Sequence, residues 1–66
     1  MINSPSHLQL AADMLCKAIN ELSRRVEHEA KAGEGMRALA TTWQKQRLHE
    51  AHREIMEVIQ YLKENP

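Results

Sequence analysis

The stretch His49-Glu50-Ala51-His52 is the first place to look for metal or acid–base chemistry. Histidine is a common zinc ligand, and two histidines three apart share one face of a helix. The helical metalloprotease motif, however, puts two residues between its glutamate and its second histidine. Here Ala51 alone separates them. A metal site would also need a further ligand, and the hairpin derived below puts His28 near Thr41, far from this stretch. The residues read as surface or seam-edge histidines, and no metal ligand set is expected.

Cys16 is the one cysteine, so the chain can form no internal disulfide. A reactive thiol needs a base that a third group orients. Across the expected hairpin Cys16 has Arg53, Glu54 and Ile55 as neighbours, with no histidine among them. It reads as a half-buried, inert thiol at the edge of the core. Glu50 and Glu54 alternate with Arg47 and Arg53 and read as surface charge. Gly33-Glu34-Gly35 follows no strand and so is no phosphate loop. The expectation is a protein that is not an enzyme, with no catalytic residue and no cofactor.

The elements that hold these residues are two helices. Both glycines fall in Lys31-Ala32-Gly33-Glu34-Gly35, and no proline lies between Pro5 and Pro66. Glycine at a helix end takes the left-handed conformation without a Cβ clash. Ser4-Pro5-Ser6-His7 reads as a helix start, with Ser4 as cap or Ser6 and Gln9 as a capping box. These signals place a first helix over about 5–32, a turn at 33–35 and a second helix over about 36–64. The connection is short, so the second helix must fold back along the first.

Leu8, Ala12, Leu15, Ile19, Leu22 and Val26 follow one another at alternating steps of four and three. That is an apolar seam of the coiled-coil kind. Asp13–Lys17, Glu21–Arg25 and Glu27–Lys31 are acid-first pairs four apart on its outer side. The second helix carries Leu48, Ala51, Ile55, Val58 and Leu62 as its seam. Met36, Ala40 and Trp43 align with one another but reach Leu48 only by a step of five, which marks a stutter or a bend near Thr41-Thr42. A continuous helix is the favoured reading, because its flanking residues are good helix formers. Residues whose numbers sum to about 69 then face each other in the antiparallel pair. Ala12 meets Val58, and Val26 approaches Trp43.

The fold class is therefore all-α: an antiparallel two-helix hairpin forming one domain over residues 1–66, expected to dimerise into a four-helix bundle. A chain this short buries only ~60% of its unfolded surface and gains from a partner. The expected interaction face is Leu10, Ala11, Met14, Ala18, Met36, Ala40, Trp43, Arg47 and Tyr61, with Trp43 as the dimer's anchor. Nine basic residues balance nine acidic ones, which argues against non-specific nucleic-acid or membrane binding. Met1 to Pro5 has neither the basic nor the apolar part of a signal peptide, and no apolar run nears the ~20 residues of a membrane span. A cytoplasmic location is expected.

The function these features favour is a small adaptor, inhibitor or regulator that homodimerises and binds a larger protein. By analogy alone it would be of the phage or plasmid type. Lys17, Arg24, His28 and Lys31 form a basic stripe on the first helix, which keeps a nucleic-acid face as the alternative. In shape and length the hairpin resembles the Rop-type plasmid copy-number regulators, dimeric hairpins that bind RNA, and that resemblance implies an RNA-binding dimer. The stripe is diluted by Asp13, Glu21 and Glu27 and carries no aromatic for base stacking. A third reading is a helical bundle that holds a small molecule near Trp43.

Overall fold

A computed structural model describes residues 5–66 of the chain. Helix α1 runs Pro5–Lys31 and helix α2 runs Gly35–Glu64. They pack against each other as a hairpin about 50 Å long. The proposed Ser4 cap lies outside the described residues.

The turn is built by Gly33, whose φ is +78°. The Gly33 N–H donates to the Ala30 carbonyl (3.2 Å) and the Glu34 N–H to the Glu29 carbonyl (2.9 Å). These two bonds make a Schellman motif, which satisfies carbonyls left over at the end of α1. A Cβ on Gly33 would meet nothing within 4 Å, so only the backbone conformation resists a side chain there. Gly33→Ala is expected to lower stability by roughly 1 kcal/mol. Gly35→Ala, at an ordinary φ inside α2, is expected to be neutral or slightly stabilising. Urea denaturation of the two variants checks this, and equal effects would refute the left-handed cap.

Helix α2 is continuous through Thr41-Thr42. The Thr42 hydroxyl donates back to the Ala38 carbonyl at 2.8 Å, which ties a weak helix former into its own helix. On α1, Glu27 and Lys31 form the expected pair at 3.7 Å, fully on the surface. Asp13 instead accepts from Gln9 Nε2 at 3.1 Å.

The seam of α1 is as its spacing predicts and continues one step further, to Glu29. Ala12 and Ile19 are buried, and Leu8, Leu15, Leu22 and Val26 are half-buried. The seam of α2 differs from the expectation. Its covered residues are Ala38, Thr41, Lys45, Leu48, His52, Ile55, Ile59 and Leu62, with Ala51 beside them. Their steps alternate three and four along the whole helix, so there is no stutter. Ile59 is 2% exposed and Val58 47%, so Ile59, not Val58, lies in the seam. Trp43 is 66% exposed and lies outside the seam that holds Val26; Met36 is exposed as well. The physical reason is that three polar residues occupy seam positions. Thr41 is held by a partner across the hairpin, His52 touches Cys16, and Lys45 can cover apolar surface with its methylene stem.

The expected facing of the helices holds despite that rotation. Two polar side-chain contacts across the hairpin show it. Glu29 and Thr41 have numbers summing to 70, Cys16 and His52 to 68, on either side of the expected sum.

Candidate functional site

Four features could do chemistry or bind a partner: a buried polar pair near the turn, a thiol–imidazole contact at mid-hairpin, a basic line on α1 and two exposed apolar patches. Each follows from where the heptad pattern puts its residues.

Near the turn, the Thr41 hydroxyl donates to Glu29 Oε1 at 2.8 Å. Both residues are buried, Glu29 to 6% exposure and Thr41 to 4%. Sequence reasoning missed the pair, because it sought only apolar residues for the seam. The usable signal was that Glu29 and Thr41 continue the two heptads in phase. An open depression beside them is lined by Arg25, His28, Arg37 and Gln44 as well. This confirms that His28 sits near Thr41. Basic and acidic groups are mixed there, so the depression favours no charge class of ligand.

Cys16 Sγ lies 3.3 Å from His52 Nε2. This corrects the expectation that no histidine would neighbour the thiol. The expected neighbours came from the right register, but His52 turns inward from a seam position and reaches Cys16 diagonally. The thiol is exposed rather than half-buried. A thiol beside an imidazole has the first two members of a nucleophilic site. The third is missing: among the described residues nothing else hydrogen-bonds His52. His49 and His52 share a shallow depression with Glu50 and Arg53. Among the described residues no group of three or more His, Cys, Asp or Glu is placed to hold a metal ion.

Lys17, Arg24 and Lys31 are exposed and lie seven apart on the face of α1 that points away from α2; His28 is exposed to one side of that line. Lys31 is paired with Glu27. Lys17 and Arg24 border a shallow depression with Asn20 and Glu21. The basic stripe thus exists as a line, with acidic groups interleaved.

Among the described residues the large exposed apolar side chains fall into two groups, with Met56 apart from both on the Cys16 flank. Met36, Leu39 and Trp43, with Ala40, lie at steps i, i+3, i+4 and i+7 on the outer face of α2. Leu39 was not foreseen as part of this face, although its spacing from Met36 and Trp43 marks it. Leu10, Met14, Val58 and Tyr61 are exposed at the open end of the hairpin. Ala11 and Ala18, half-buried, adjoin this second group. The expected single face is therefore divided: Trp43 and Met36 point straight out from α2, while Ala11 and Ala18 border the seam.

No family model, curated protein or solved structure matches this chain.

Among the described residues no helix is long and apolar enough to cross a membrane.

Proposed function

We propose that this protein is a small, non-enzymatic interaction module, an adaptor or inhibitor that docks on a larger protein. It works as a homodimer whose two hairpins make a four-helix bundle. The observation that carries the reading is the outward stripe of Met36, Leu39, Ala40 and Trp43. Trp43 is 66% exposed and Met36 81%, and the hairpin's own core makes no use of them. Apolar anchors at i, i+3, i+4 and i+7 are what an amphipathic helix presents to a hydrophobic groove. Tryptophan is the residue most enriched among the energetic centres of interfaces. Arg37 and Arg47 border the stripe, which suits a groove with acidic edges.

The test is affinity capture from the native cell with the wild-type chain and with Trp43→Ala as baits, followed by reconstitution of the captured protein. The expected result is a partner bound by purified wild type and bound on the order of 10-fold to 100-fold more weakly by Trp43→Ala, with helix content unchanged by circular dichroism. A reconstituted complex indifferent to Trp43 would remove the stripe from the interface. Binding that survives only with RNA present and falls steeply with salt would replace this reading with the nucleic-acid one.

A further inference from the structure

In the half of the hairpin away from the turn, the seam is better covered on one side than on the other. Along each helix it consists of two lines of residues. In the half away from the turn one line holds Ala12, Ile19 and Ile59, all buried, with the half-buried His52; nearer the turn the same line runs through Val26, Ala38 and Lys45, also half-buried. In that half the other holds Leu8, Leu15, Leu22, Leu48, Ile55 and Leu62, all only half-buried; toward the turn the same line ends in the buried Glu29 and Thr41. On a helical wheel this second line adjoins Ala11 and Ala18 on α1 and Ala51 and Val58 on α2. Alanine there leaves the leucines uncovered. An open depression of about 470 Å³ on this flank reaches Leu22 and Leu48 past Ala18, with Glu21, Arg24 and Arg25 at its rim. On the opposite flank Gln9, Cys16, Ser23, Thr42, His49 and Lys63 outnumber the apolar Ala30 and Met56.

The elongated hairpin leaves a large surface exposed. The chain exposes 5456 Å². A compact monomer of its 7.6 kDa would expose about 4,300 Å² by the usual scaling of surface with mass. The excess, about 1,200 Å², is spread over the elongated hairpin as a whole and leaves room for the ~800 Å² each partner contributes to a standard interface.

We infer that the open flank, between the half-buried leucines and Ala11, Ala18, Ala51 and Val58, is where a second copy of this chain packs. The inference rests on the proposed interaction role and assigns the self-association to a different surface from the Trp43 stripe. One apolar flank per copy gives an isologous contact that closes at two chains. The small residues allow close approach of the helices, and Met14 and Val58 reach over them. Trp43, which points away from this flank, stays outside the bundle and free for the foreign partner.

Sedimentation velocity from about 1 to 200 μM tests the assignment, with circular dichroism as a check on folding. Wild type is expected to be a dimer over most of that range. Ala18→Glu places a charge against the leucines and is expected to raise the dissociation constant on the order of 100-fold or more. Val58→Lys, on the other helix, is expected to do the same and serves if Ala18→Glu fails to fold. Trp43→Ala and His49→Glu, off the flank, are expected to leave the dimer within a few-fold of wild type. A wild-type monomer throughout would overturn self-association while leaving the capture experiment to decide the interaction role. A dimer broken by Trp43→Ala and kept by Ala18→Glu and Val58→Lys would overturn the flank and move the contact to the outer stripe.

Discussion

Ile59→Ala is expected to cost about 2–5 kcal/mol, and Trp43→Ala almost nothing. A domain of this size has on the order of 3–10 kcal/mol of stability to lose, so the first change removes a large share of it. The contrast runs against size. Tryptophan in a core costs about 3–5 kcal/mol when truncated, more than most residues. But Trp43 is 66% exposed, while Ile59 is at 2% and lies in the same seam as buried Ala12 and Ile19. Removing three carbons from Ile59 opens a cavity that two helices alone cannot collapse around. Urea denaturation at constant protein concentration reads both effects. If Trp43→Ala were the more destabilising of the two, the seam of α2 would have the phase that its apolar residues alone suggest.

Thr41→Val should be the costliest isosteric change in the chain. It keeps the shape of the side chain and removes the donor that Glu29 Oε1 accepts from at 2.8 Å. A buried group left without its partner loses about 1–3 kcal/mol, and more where it is charged. Replacing both partners, Glu29→Leu with Thr41→Val, removes the unmet demand together with the bond. Such double replacements are neutral or stabilise by about 1–4 kcal/mol. The double variant should therefore melt higher than Thr41→Val and at or above wild type. A Thr41→Val variant that melts with wild type would show that the pair contributes nothing. The pair also ties one point of α1 to one point of α2. Leucine and alanine seams tolerate sliding by a heptad, whereas a single buried polar contact selects one register.

Most of the architecture is legible in the sequence for local reasons. Both glycines stand between the two seams, and the first of them, Gly33, takes the left-handed conformation that caps α1. The seam of α1 needs only leucine, isoleucine, valine and alanine at heptad spacing, and every member from Leu8 to Val26 is covered. Two glycine-flanked helices joined by three residues have to pair antiparallel, so the facing of residues follows from their numbers. The contacts Glu29–Thr41 and Cys16–His52 bear this out.

The rotation of α2 about its own axis was decided by the tertiary structure. Hydrophobicity alone selects Met36, Ala40, Trp43 and Val58 and produces a stutter. The folded helix keeps a strict heptad with Thr41, Lys45 and His52 in the seam. Whether a threonine or histidine can be covered there depends on what stands opposite, and that partner lies on the other helix. Thr41 is covered because Glu29 accepts its hydroxyl hydrogen, 12 residues away in sequence. His52 turns inward toward Cys16, 36 residues away. Such pairings carry no local periodic signal. They also decide which apolar residues are left outside, and so which surface is free to bind: the Trp43 stripe exists because polar groups took its place in the core.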